Sequence, residues 1–492
     1  MNDIKCCRLI ETLKTFNRGE FNDFKKIATS PYFSKGRNYL PYIKALKKYY
    51  PEFEGEIQKK DEAKKIIFKI AHPDKMYNGQ FMKNIFTDLI HFAEQTLFQK
   101  VANNYNYQNL SFLAIEEAKR NLFSLANHNI NFLEKKLEEN GFDEFYFYCK
   151  GMNEIAYSIL YNKTHGRNHE TGRPFTDGIY FIYFSIITLA LSIYNTSIRR
   201  ALLNIEEDSQ LNENFLSLID LEKFEKMLSI TNDQYKEFIL IFVYYLIHKT
   251  KKTGFSNYVR MRNLLFRNYP KFNSRMLFYV TSIIQSTLFE NKDNMKEKEF
   301  RKEFHKIALF SLNNNCYKIM KTGVFQFNKF RSYYLNALAL GEIDWVRNFA
   351  NKYIPELLPD LRNETLHIIN SNIKFENKLY DESLKELKIK FSNTFSKIDQ
   401  RMLKLKIFYS KGAVVHAEES LETFKKFINQ NNMTKLVFRS NLTLFIRYYK
   451  KLLNSAEGKE SEPEIILNEL KKTPTFAERS WLIDNFENVI II

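Results

Sequence analysis

Three stretches of this chain superimpose at a spacing of 37 residues. They open at positions 338, 375 and 412 and read LALGEIDWVRNFA, FENKLYDESLKEL and GAVVHAEESLETF. Each fits the end of one helix, a short turn and the start of an amphipathic second helix. A period of this length marks stacked helical hairpins, because a hairpin that cannot bury its apolar face alone buries it against its neighbours. The pattern predicts an all-α fold, specifically an α-solenoid of stacked antiparallel helical hairpins. No run alternates apolar and polar residues well enough for a strand. The 14 Gly and 10 Pro among 492 residues are also too few turn formers for a sheet-rich chain.

Turn and cap residues divide the chain into an N-terminal helical region (1–140), a repeat region (141–454) and a linker with a capping helix (455–492). Glu20 to Thr29 is amphipathic and stops at Ser30-Pro31, because Pro disfavours helix in the residue before it. Asp61 is expected to cap the helix running to Ala71, and Asn78 the longer one running to Gln99. Tyr107 to Asn127, Asn129 to Asn140 and Leu211 to Ser229 each read as one helix. SAEGKESEPE (455–464) has the composition of a linker.

Two resemblances attach to particular residues. GEFNDFKKIATSPYFSKGRNYLPYIKALKKYYPEFEG near the start, YNGQFMKNIFTDLIHFAEQTLF after it and TFAERSWLIDNF near the end resemble a family of all-helical Bacteroidota proteins with no established activity. This implies a helical fold and brings no catalytic residues with it. YDESLKEL (Tyr380 to Leu387) is similar to the start of the second helix of a tetratricopeptide repeat. Ser383 takes that repeat's small-residue position, Ser420 matches it one repeat later, and the bulkier Val346 stands there in the first copy. The period is longer than the usual tetratricopeptide unit, so the chain is tetratricopeptide-like. The resemblance implies a concave groove for peptides or helices of other proteins.

Charge supplies the strongest residue-level hint of function. The net charge is +17, which favours acidic partners, nucleic acid among them. From Phe238 through Phe289 there is no Asp or Glu. That stretch holds Lys249, Lys251, Lys252, Arg260, Arg262, Arg267, Lys271 and Arg275, interleaved with aromatics. A second acid-free stretch, 304–341, holds Lys306, Lys318, Lys321, Lys329 and Arg331. Cations neutralise phosphates and exposed aromatics stack on bases. The aromatics here recur at helical spacing, however, which is the pattern of a core. GxSxG, GxxxxGK[ST] and GxGxxG are all missing, so no enzyme activity and no cofactor is expected. The leading expectation is a non-enzymatic scaffold for a protein or peptide partner. The alternative is a nucleic-acid-binding repeat protein using 238–341.

Four cysteines without a CxxC pair suggest reduced thiols in the cytoplasm, and MNDIKCCRLIETLKTF lacks the features of a secretory signal. Gly178 to Ile198 carries no charge over a length that can span a bilayer. It also carries Ser185, Thr188, Ser192 and Asn195 and stands alone among amphipathic helices. The expectation is therefore a buried core helix and no membrane. His72-Pro73-Asp74 matches the tripeptide of the J-domain loop, but its flanks depart from that family, leaving a turn whose second helix Asp74 or Asn78 caps. His165 and His169 have metal-ligand spacing for a helix. Gly166 and Gly172 break any helix there, so a solvated loop is expected.

Overall fold

The computed structural model describes residues 7–104, 106–165, 177–203, 210–251, 254–318, 323–430, 437–459 and 462–491. Among these the fold is all-α, with 25 α-helices, four short 3-10 turns and no β-strand. An isolated parallel pairing joins Phe142 to Phe272. The chain divides into two compact units, Met1–Lys136 with Ile155–Thr171, and Leu137–Glu154 with Gly172–Ile492.

The first unit holds two cores. The larger joins Leu9, Phe24, Leu46, Ile67 and Leu89 from successive short helices. The smaller uses Ala114, Ala118 and Ala126 with Ile130, Ala156 and Leu160. Small residues there let the helix backbones approach closely. In the second unit most helix contacts join elements adjacent in sequence, from Lys236–Lys251 through Val437–Ala456. That is the local packing expected of a helical repeat. One set of contacts departs from it. Lys292 Nζ donates to the Thr475 carbonyl, Thr475 N–H donates to Asp293, and Ser480 Oγ donates to Glu297. The C-terminal segment thus returns to a loop some 180 residues upstream.

One turn recurs throughout. Asn121, Asn315, Gly341, Lys378, Gly412 and Gly458 all have left-handed backbone, with φ from 52° to 78°. In each case that residue's N–H returns to the carbonyl three residues back. The next N–H returns five back, as in Leu122 to Glu117, Glu342 to Ala337, Leu379 to Lys374 and Ala413 to Phe408. This is the Schellman arrangement, which satisfies carbonyls that a helix C-terminus otherwise leaves without partners. Four of the six turns open at once into a second helix: Phe123–Asn140, Ile343–Tyr353, Tyr380–Glu386 and Val414–Gln430. Five residues after the left-handed position stand Ala126, Val346, Ser383 and Ala417, all fully buried. Ser383 shows why the site is small. It and Ser371 on the preceding helix exchange hydroxyl-to-carbonyl hydrogen bonds of 2.7 and 2.9 Å, which needs two closely packed helices.

These turns correct the register of the third repeat. Gly341 to Lys378 is 37 residues, but Lys378 to Gly412 is 34. The residue equivalent to Ser383 is Ala417, and Ser420 is only half-buried. The acidic runs of the second and third copies align at 37, while the backbone aligns on Gly412. A further copy, at Asn121, lies where one helix to Asn127 was expected; the chain instead forms Asn106–Lys119 and Phe123–Asn140. Leu211 to Ser229 likewise splits at Asp220, whose carboxylate accepts from Lys223 N–H and caps Leu221–Ile230. Asp61 lies inside its helix and not at the cap. Asn78 caps as expected, accepting from Phe81 N–H at 2.9 Å.

Lys378 is exposed and left-handed, a conformation that costs a non-glycine residue about 1 kcal/mol. Lys378→Gly is expected to raise unfolding stability by about 0.5–1 kcal/mol, and Gly412→Ala to lower it by about 1 kcal/mol. Urea denaturation of the two variants measures both; an unchanged midpoint for each removes the turn from the list of stabilising features.

Candidate partner-binding groove

The apolar segment at 178–198 forms most of the helix Asp177–Leu203. Tyr183, Ile187, Ala190 and Tyr194 recur at helical spacing and are buried. Tyr183 packs edge-on against Phe147 and donates its hydroxyl hydrogen to Asp233. Phe181 lies over Gly151, where a Cβ would stand 2.9 Å from the ring. That contact explains a glycine in mid-helix. The opposite edge, Ser185, Thr188, Ser192 and Asn195, is exposed. The helix is long and apolar enough to cross a membrane by length and composition, yet only 22 % of its most apolar stretch is buried. It is therefore not the all-round buried core helix expected from its sequence. It has one core face and one open face.

A groove runs along that open side. A cavity of about 680 Å³ has an apolar floor of Phe184, Leu189, Phe215, Ile219, Phe224 and Leu246 and, among the described residues, no charged lining residue. A neighbouring cavity of about 880 Å³ reaches Arg200, Asp220, Glu222, Lys249 and Lys251. A third, of about 610 Å³, reaches Glu144, Arg199 and Arg275. Asn212, on the short helix Gln210–Ser217, lines all three. Of the lining residues, Leu218 is more than four-fifths exposed and Phe215 about half.

The structure gives most of the basic residues picked out by sequence a carboxylate partner. Lys249 pairs with Glu290, Lys251 with Glu222 at 2.8 Å, Arg260 with Glu225 at 3.9 Å and Arg262 with Glu303. Arg267 pairs with Glu237 and Arg275 with Glu144, both at 2.9 Å. Lys271 is exposed, and its carbonyl accepts from Phe142 N–H. Lys252 lies outside the described residues, as does Lys321 in the second stretch. Burial pushes the Glu290 carboxyl up, but hydrogen bonds from His248 and Lys249 outweigh it and hold the group at about 2. In the second stretch Lys318 pairs with Glu356, Lys306 is exposed, and Arg331 forms a two-bond pair with the buried Asp399. Most of the described cations in the acid-free stretches are thus neutralised from outside them. Among the described residues of the sequence-selected set, Lys249, Lys251 and Arg275 reach the groove.

The remaining motifs take structural places. His72 Nε2 shares a 2.7 Å hydrogen bond with the Tyr42 hydroxyl, and Pro73, Asp74 and Lys75 form an exposed turn. His165 stacks on Tyr161; His169 and Glu170 lie outside the described residues. Among the described residues no His, Cys, Asp or Glu cluster has metal-binding geometry. Cys7, Cys149 and Cys316 are buried, and burial pushes the Cys149 thiol up to about 12. Comparison with protein-family models, with curated proteins and with solved structures yields no match.

Lys329 stands apart from the paired cations. Its Nζ is buried without a hydrogen-bond partner, 4.6 Å from the Phe278 ring centre, and burial lowers its pKa to about 8. Below pH 8 the amine is charged in both the folded and unfolded chain, and its burial penalty is present in full. As pH rises from about 8 toward the unfolded value of 10.5 the folded form loses its proton first, and the penalty fades. Lys329→Met is expected to stabilise the protein at pH 7 by about 1–3 kcal/mol. This advantage should shrink between pH 8 and 10, as read by chemical denaturation at each pH. A pH-independent difference between variant and wild type refutes this account.

Proposed function

We propose that this chain is a non-enzymatic, cytoplasmic, tetratricopeptide-like scaffold whose repeats stack as a solenoid. Its second unit receives an amphipathic helix or peptide of a partner protein in the groove beside Asp177–Leu203. The observation that carries this reading is an apolar helix with only 22 % of its most apolar stretch buried, flanked by an apolar-floored groove. An amphipathic segment laid into such a groove is a recurring mode of peptide recognition. Hydroxyl and amide side chains on the open edge favour a polypeptide over lipid, since a lipid-facing helix presents hydrocarbon there. The turn shared by Gly341, Lys378 and Gly412, with small or compact buried residues five positions on, supports the repeat reading. The alternative, nucleic acid at 238–341, has less support, because six of the selected cations already face carboxylates.

Ile219 is partly exposed on the groove floor, so Ile219→Glu places a charge where the partner's apolar face rests without opening a core. Affinity capture with quantitative mass spectrometry is expected to lose bound partner about tenfold or more in Ile219→Glu and to keep it in Lys271→Gln. Equal capture by both variants removes the groove from the proposal. Salt-steep retention of DNA or RNA on a filter, weakened by Lys271→Gln, replaces the proposal with the nucleic-acid reading.

A further inference from the structure

Lys397, Arg401 and Lys404 lie at i, i+4 and i+7 on Thr394–Ser410, a spacing that brings three side chains to one helix face. All three are half-buried. Among the described residues none of them pairs with a carboxylate. Three acids on this helix or on helices packed against it are already engaged: Asp399 with Arg331, Glu386 with Lys374 and His367, and Glu422 with Lys425. Arg401 rests on the Phe427 ring, 4.0 Å from its centre, which fixes the guanidinium plane. Its one side-chain hydrogen bond runs from Nη1 to the Lys397 carbonyl at 3.0 Å, and its Nε is buried with no acceptor.

This arrangement is costly as it stands. Half-buried cations elsewhere in the second unit, such as Arg262, Lys318 and Lys374, each hold a carboxylate, as does the buried Lys406. Burying like charges together without a counter-ion is destabilising unless something else supplies the negative charge. We propose that Lys397, Arg401 and Lys404 form an oxyanion site for the dianion of a phosphate monoester or of inorganic phosphate. Three positive charges balance a group of charge near −2 better than a single carboxylate. The direction of the proton equilibria agrees: burial lowers Arg401, and burial plus repulsion from Arg401 lowers Lys404. Each would be relieved by an anion. The site is separate from the groove beside Asp177–Leu203, so its failure leaves that reading standing.

The test is thermal unfolding of the full chain in inorganic phosphate and in chloride at matched ionic strength, for wild type, Arg401→Gln and Lys404→Gln. In chloride each substitution removes an uncompensated charge, so both variants are expected to melt at or above wild type. In phosphate the wild-type midpoint is expected to rise and saturate, and the order to reverse. A parallel titration with a phosphoserine peptide separates the sources. A response to the peptide at lower concentration than to free phosphate assigns the site to a phosphorylated partner, and the reverse order assigns it to free phosphate. Should Arg401→Gln fail to fold, Lys404→Gln carries the comparison alone, since its side chain reaches solvent. A wild-type midpoint identical in phosphate and chloride, or variants that respond to phosphate as wild type does, overturns the proposal.

Discussion

The left-handed residue that ends one helix and admits the next is the constraint on which this structure rests. A helix end leaves carbonyls without partners, and a hairpin of two helices must satisfy them within three residues. Returning two N–H groups to the outgoing helix does so and reverses the chain at once. The incoming helix then starts so close that its fifth residue after the turn meets the partner backbone. That position accordingly holds Ala126, Val346, Ser383 or Ala417, each with no exposed surface. Turn and small residue are one requirement expressed at two positions.

The same requirement explains what could be read from sequence and what could not. Gly341 and Gly412 advertise a left-handed turn, because glycine reaches it without strain. Lys378 adopts the same backbone with a side chain that gives little sign of it, and Asn, which stands at 121 and tolerates that backbone, is also common elsewhere in helices and loops of this chain. Aligning the second and third repeats on their acidic runs, Asp381-Glu382 and Glu418-Glu419, therefore places the third copy three residues late, and the copy at Asn121 is missed. The class of fold needed none of this detail, since apolar residues at helical spacing and a scarcity of turn formers already exclude sheets. The long apolar helix was misjudged for a different reason. Composition reports that Gly178 to Ile198 lacks charge, but not that its Ser, Thr and Asn residues gather on one edge that is exposed among the described residues.

Charge was the least legible feature. Windows free of acid look like positive surface when the chain is read linearly. Folding brings Glu144, Glu222, Glu225, Glu237, Glu290 and Glu303 in from neighbouring helices and cancels most of them. The converse holds at Lys397, Arg401 and Lys404. Asp399 sits among them in sequence, so no acid-free window draws attention to the cluster. Its carboxylate points to Arg331 on another helix and leaves the three cations without it. Linear charge density is a poor guide in a protein built of helices, because each helix shows its two neighbours different sides.

The hydrogen bonds that carry Thr475 and Ser480 back to Lys292, Asp293 and Glu297 set this molecule apart from an open row of repeats. In an open row the end units fray first and damage stays local. Here the last segment is a clasp, closed a second time by Lys406 on Glu478. Some 180 residues of intervening helices are looped between its two halves. Loosening the C-terminus is therefore expected to free the middle of the chain as well as its end, so that the looped helices melt as one cooperative block instead of peeling away one by one.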